Sequence, residues 1–431
     1  MFKETSKELL EFLSKSPTAF HAVENYRQIL NADGFKELLE SEHWDIVPGG
    51  KYYVTRNNTS ILAFKVGTKL DNYSFNIVTS HTDSPTFKVK ENAEIEVKNK
   101  YTQLNTEGYG GMLCATWLDR PLSIAGRVLV SEGNSIVTKL LNIDRDLLMI
   151  PNVAIHMNRA ANDGFKYNLQ VDMLPLLSGG DDRQKDLGVK KEDILGHDLY
   201  LYNRMAPSIW GANEEFISSG HLDDLQCGFA SLKALLAGYN DESIDIMACF
   251  DNEEVGSGTK QGADSTLLRD TLIRINNALG KTEEDYHRAL ASSFMLSADN
   301  AHAVHPNHPE HTDVTNCTYM NEGVVVKSHA GQKYTSDGVS MAVVKSLASG
   351  ADVPLQYFAN RSDKAGGSTL GNIAMAQASM NAVDIGLPQL AMHSSYETAG
   401  IKDTYYAISL MKALFDSHIQ ETSTHSLEIK R

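Results

Sequence analysis

Two stretches, FNIVTSHTD at residues 75–83 and IDIMACFDNEE at residues 244–254, each run from apolar, β-favouring residues straight into side chains that bind metals or move protons. Short apolar runs that end this way read as buried strands whose carboxyl ends carry chemistry. Outward from them, 294–297, 324–327, 355–358 and 389–392 repeat the strand pattern with helical segments between, which predicts an α/β sheet. Strands are also expected at 52–55 and 60–66. Ahead of these, two helices flank Ser16-Pro17-Thr18, where Ser or Thr can cap the second helix, and that helix should end near Asp33-Gly34. Apolar residues at helical spacing over 403–418 predict a closing helix that covers the sheet.

From about 87 to 210 the texture differs. Alternating pieces such as EIEVK at 94–98 and GRVLV at 126–130 suggest antiparallel β structure, and helical periodicity is weak. A chain of 431 residues has room for two or three domains at roughly 150 residues each. The expected division is a catalytic domain built from 1–86 and 220–431, interrupted by a β-rich insertion over 87–219.

Composition excludes several functions. Hydrophobic residues at 42% and charged residues at 22% match folded proteins and exclude disordered and fibrous classes. A formal charge of -16 without a dense Lys/Arg stripe argues against nucleic acid, because an acidic shell repels phosphate. The first twenty residues interleave charged and apolar side chains, unlike a signal peptide, and no stretch is long and apolar enough to span a bilayer. Cys114, Cys227, Cys249 and Cys317 form no C-x-x-C pair, so a reducing, cytoplasmic setting is expected.

Five polar clusters follow predicted strands or open helices: His81-Thr82-Asp83, Leu222-Asp223-Asp224, Asp251-Asn252-Glu253-Glu254, Ser297-Ala298-Asp299 and Met392-His393-Ser394. Imidazoles and carboxylates converging at one sheet edge suit a borderline cation such as zinc, whereas an all-oxygen set would suit calcium or magnesium. Each cluster also has a plain structural reading. His81 can be a satisfied strand-end histidine, Asp223 the N-cap of a helix over 225–236, and Glu253-Glu254 a solvated turn. Asp299 and His393 can be turn or core residues.

The strings SHTDSP (80–85), LDDLQCGFA (222–230), DNEEVGSGTKQGA (251–263), SADNAHAVHP (297–306) and AMHSSYE (391–397) resemble, in order, the motifs of the M18 aspartyl aminopeptidase family. GYGGMLCATWLDRPLSIAGRV (108–128), KSHAGQKYTSDG (327–338) and GGSTLGN (366–372) are similar to the family as well. The resemblance implies a zinc-exopeptidase-like mixed sheet flanked by helices, an insertion that serves dimerisation, and removal of single residues from peptide N-termini. It implies two zinc ions, with cobalt or manganese as substitutes. Asp223 would bridge them, with His81 and Asp299 completing one site and Glu254 and His393 the other. Glu253 then matches the general base, and Asp83 the carboxylate that orients His81.

Lys327, Tyr334 and His302 resemble the lining of the family's substrate pocket, which implies a preference for N-terminal Asp or Glu, although some relatives prefer neutral residues such as leucine. PNVAIH at 151–156 is similar to the segment whose histidine, here His156, enters a neighbouring subunit's site within dodecamers built from dimers. Departures from the pattern are His221, where the family often has arginine, and Asn372, where many relatives have proline. Two rival readings remain at this stage. A two-metal phosphoesterase would use the same ions, and a non-catalytic shell or cargo protein would retain only a structural metal site. Glu253 weighs against the second, since a closed structural site has no use for a spare carboxylate. Gly366-Gly367-Ser368-Thr369 lacks the lysine and spacing of a phosphate-binding loop.

Overall fold

The computed structural model of the chain describes residues 1–179 and 193–431; the stretch between, within the expected insertion, lies outside the described residues. Among the described residues, nine strands form the main sheet, in the order Lys36–Glu37, Lys51–Arg56, Ser60–Val66, Ser243–Phe250, Ser74–His81, Phe294–Ala298, Asn381–Gly386, Val324–Lys327 and Leu355–Phe358. Ser74–His81 is buried along its whole length and runs parallel to both of its neighbours, Ser243–Phe250 and Phe294–Ala298. Strands covered on both faces need apolar residues at nearly every position, which is why these segments read as continuous runs rather than alternating ones.

The side chains divide by period two between the faces. Val78, Met247 and Cys249 join a core packed by the helices Phe2–Ser14, Ala19–Ala32, Leu222–Ala237, Gly338–Gly350 and Asp403–Phe415. Phe75, Ile77, Ile246 and Phe250 join another, packed by Leu267–Ala278, Glu283–Ala291 and Leu370–Gln377. The sheet is therefore mixed and flanked by helices, as expected for the fold class. Phe250 lies opposite His81 in the register, so the stretches 75–83 and 244–254 end side by side.

Thr18 stands at the N-cap of Ala19–Ala32, yet its hydroxyl pairs with His21 Nδ1 at 2.8 Å instead of capping a backbone N–H. Asn381–Gly386 is a central strand that pattern reading passes over, because Asp384 interrupts its apolar run. That carboxylate accepts hydrogen bonds from the hydroxyls of Ser297, Thr335 and Thr369, which arrive from other parts of the chain. Pro388–Leu390, expected in the main sheet, belongs instead to a smaller sheet with Ser208–Trp210, Phe216–Ser219, Glu397–Gly400 and Ala301–His302. The closing helix stops at Phe415, before a hairpin of His418–Ser423 with Ser426–Lys430.

The alternating region forms a separate antiparallel sheet of six strands among the described residues, drawn from Thr86–Val97 through Ile194–Asn203. Its own core includes Phe87, Trp117, Leu122, Ile124, Leu148 and Ile150.

Candidate active site

Three adjacent parallel strands deliver their carboxyl ends to one edge of the sheet: His81 ends one, Asp251 to Glu254 follow the second, and Asp299 follows the third. Opposite them, the helix Leu222–Ala237 is entered irregularly. His221 is left-handed at φ 62°, the Asp223–Asp224 peptide is cis, and neither aspartate has helical angles. Asp223 faces the site. Its Oδ1 lies 3.5 Å from His81 Nε2 and its Oδ2 lies 3.5 Å from His393 Nε2. His393 Nε2 is also 3.4 Å from Glu254 Oε2. Each imidazole donates its Nδ1–H to a backbone carbonyl, His81 to Asp83 O at 3.1 Å and His393 to Gly111 O at 2.7 Å, which aims both Nε2 atoms at Asp223.

Donor atoms of His81, Asp223 and Asp299 lie within 4.8 Å of one another, as do those of Asp223, Glu254 and His393, and those of His81, Glu253 and Glu254. The cluster holds more buried carboxylate than its neighbouring cations balance. Burial pushes Glu253 up to about 7, and raises Asp299 and Glu254 as well. Burial also acts to raise Asp223, but the His393 and His81 imidazoles outweigh it and hold that carboxyl below its ordinary range. Among the described residues, Asp223 Oδ1 and Glu254 Oε1 are buried without a hydrogen-bond partner. Unpaired buried oxygens are costly, and a divalent cation in their midst would satisfy them. Two nitrogen donors with several carboxylates fit zinc.

The family model described as "Aminopeptidase I zinc metalloprotease (M18)" matches residues 12–415. The chain belongs to the M18 family of zinc aminopeptidases. Similar curated proteins include "Probable M18 family aminopeptidase 2" of Clostridium novyi, 47% identical and covering 95% of this chain and 98% of that one. The protein of that name from Stutzerimonas stutzeri is 38% identical, covering 97% and 99%. Among solved structures, Ape4 in its complex with Nbr1 superposes with a TM-score of 0.93 at 34% identity, over 96% of this chain and 86% of that chain. The S. cerevesiae mApe1 dodecamer does so with a TM-score of 0.82 at 27% identity, over 96% and 97%. Among the described residues, no helix is long and apolar enough to cross a membrane.

In this M18 chain the supporting contacts reach further than the motifs suggest. Asp83 lies 3.4 Å from His81 Nδ1 through Oδ1, but its hydrogen bonds go elsewhere: Oδ1 accepts from the Glu253 N–H at 3.1 Å, and Oδ2 from the Glu254 N–H at 3.2 Å and the Tyr109 hydroxyl at 2.6 Å. Asn252 in turn donates to Tyr109 Oη at 2.8 Å. Tyr109 and Gly111 come from the six-stranded sheet's side, and Gly110 between them has φ 74°, where a Cβ would crowd that of Glu254 at 3.1 Å. Glu397 is buried and grips two backbones at once, accepting from the Asp223 N–H at 3.0 Å and the His393 N–H at 2.9 Å. Tyr109, Gly111 and Glu397 carry no chemical signature of their own in the sequence. Their only signal was membership in the GYGG and AMHSSYE strings.

Lys327 is buried, donates to Asn300 O at 2.8 Å, and sits 3.6 Å from Asp299 Oδ1 and 5.7 Å from the Tyr334 ring centre. Asp299 thus connects the metal-type cluster to Lys327 and Tyr334. His302 ends the strand Ala301–His302 with its ring 6.1 Å from that of Phe358. His156 stands apart from the cluster, exposed on a turn. Asp119 anchors that turn by accepting from the Asn152 N–H at 2.9 Å and its side-chain amide at 2.8 Å.

Proposed function

We propose that the chain is a dinuclear zinc aminopeptidase that removes an acidic residue from peptide N-termini. The observation that carries this reading is the sharing of Asp223 between two donor triads, one with His81 and Asp299 and one with Glu254 and His393. A pair of zinc ions held there would acidify a water and polarise the scissile carbonyl. Glu253 adjoins both triads without being needed to complete either. Its carboxylate takes the proton of the attacking water and returns it to the leaving amide nitrogen as the C–N bond breaks, a shuttle worth roughly 100- to 10,000-fold in rate. Asp83 holds the Glu253–Glu254 turn in register with His81, so the base and the imidazole keep a common geometry.

For specificity, Lys327 is a buried cation within reach of the site. Its ammonium lies 5.7 Å from the ring centre of Tyr334, which packs with Ala301, Val325 and Phe358. A carboxylate from the substrate's first side chain would find a charge partner there with little competing water. The neutral alternative draws on the same place. Asp299 already offsets Lys327, and the walls of Tyr334 and Phe358 suit leucine. The two are separated by specificity constants for aspartyl, glutamyl and leucyl substrates, measured on zinc-loaded and chelated enzyme. We expect activity only with metal and a higher constant for the acidic pair. Cleavage by metal-free enzyme would overturn the metal reading, and a higher constant for leucine the acidic one.

The proposal extends to assembly. The six-stranded sheet is taken as the dimerisation unit, because the turn bearing His156 exposes Val153, Ile155 and Met157, an apolar set that favours burial against a second copy. Dimers would pack into a dodecamer like that of the yeast mApe1 structure, and His156 would supply a hydrogen-bond donor to a neighbour's site.

A further inference from the structure

The segment HPNHPEH at 305–311 gathers three imidazoles and a carboxylate on the surface and shares no residue with the catalytic cluster. Ring centres of His305 and His308 are 5.3 Å apart, and those of His308 and His311 are 5.5 Å apart. Glu310 Oε1 lies 3.1 Å from His308 Nδ1 and 3.9 Å from His311 Nε2. Donor atoms of His308, Glu310 and His311 all fall within 4.8 Å of one another.

The local chain explains the convergence. Pro309 opens a 3₁₀ turn over Pro309–His311, and in that geometry residues three apart lie nearly one above the other, which brings His308 over His311. The turn is braced from outside. Arg361 donates to the Glu310 backbone carbonyl while holding both carboxylate oxygens of Asp363, at 2.9 and 2.8 Å. At its base, Val304 N–H donates to Thr318 O at 2.8 Å, and Asp313 Oδ1 accepts from the backbones of Thr315 and Asn316 at 3.0 and 2.8 Å. The three donors are therefore presented by a fixed turn.

We propose that His308, Glu310 and His311 form an additional cation site, taking a borderline divalent transition ion such as zinc or copper(II). Two imidazoles among three donors select such an ion over calcium or magnesium. The side chains of all three are more than half exposed, so water fills the remaining positions. The ion joins His308, Glu310 and His311 and braces the chain that leaves His302.

The test uses the zinc-loaded enzyme, desalted to remove free metal, and compares it with the double variant His308→Ala, His311→Ala. Both are titrated with copper(II) by calorimetry and examined by electron paramagnetic resonance. The expected result is one more bound equivalent in the parent than in the variant, with nitrogen hyperfine structure on that equivalent, and equal peptidase activity before copper is added. Equal stoichiometry and equal spectra in the two proteins would overturn the proposal, whether the extra copper bound elsewhere or none bound.

Discussion

Glu253 and Glu254 are adjacent on the 3₁₀ turn Glu253–Val255 and both lie within reach of His81, and the proposed function gives them different work. Only Glu254 joins His393 and Asp223 in a triad. Replacing Glu253 by Gln keeps size and polarity but removes the proton acceptor. Turnover should fall by roughly 100- to 10,000-fold while metal content by elemental analysis stays unchanged; near-normal turnover would move the base elsewhere. Glu397 makes the opposite prediction. Its two oxygens hold the Asp223 and His393 backbones, and Gln can accept at one of those N–H groups but not at both. Glu397→Gln should weaken metal affinity by roughly 10- to 100-fold, read by competition with a chromophoric chelator. Unchanged affinity would reduce Glu397 to a support of the fold.

At the scale of elements, the central strands carry both the stability and the geometry of the site. Leu296 is fully buried in Phe294–Ala298, and Leu296→Ala should cost about 2–5 kcal/mol in denaturant unfolding through lost contacts and a residual cavity. Asp245, inside Ser243–Phe250, accepts from Ser243 Oγ at 2.8 Å and Asn76 Nδ2 at 3.1 Å, and burial pushes its carboxyl up to about 8. The ordinary aspartate value is about 3.9. Between the two, the folded chain keeps a proton that the unfolded chain has released. This contribution to stability is therefore full below the ordinary value and is lost as pH rises through 8. Asp245→Asn removes it, so the stability of the parent relative to the variant should decline from pH 6 to pH 8, by about 2 kcal/mol. A constant difference would refute the assignment. The strands ending in His81 and Phe250 were legible because burial on both faces imposes a continuous apolar run. Asn381–Gly386 was not, because the hydroxyls that donate to the buried Asp384 carboxylate come from Ser297, Thr335 and Thr369, beyond any local window.

For the whole molecule, the question is whether one chain completes its own site. His156 has no contact with the cluster among the described residues of a single chain, while Val153, Ile155 and Met157 beside it are exposed. Mixing inactive His156→Ala subunits with inactive Glu253→Gln subunits under exchange conditions should restore activity, because some sites then pair an intact Glu253 with a neighbour's His156. No recovery despite proven mixing would exclude action across the interface. Met157→Asp should shift the assembly toward smaller species in analytical ultracentrifugation, since a charge at the centre of an apolar contact goes unpaired.

The order of the polar clusters, their placement after strands, and the alternation of residues 94–98 and 126–130 were written in the sequence, because strand burial and side-chain alternation are local properties of the chain. Whether Asp223 caps a helix or faces two imidazoles was not. That depends on an irregular helix entry and on His81 and His393 arriving from distant parts of the chain. The hydroxyl of Tyr109 on Asp83, the carbonyl of Gly111 on His393, and the grip of Glu397 on the Asp223 N–H are likewise contacts between remote segments. No periodicity encodes such contacts, because they exist only once the six-stranded sheet and the smaller sheet bearing Glu397 have packed against the main sheet.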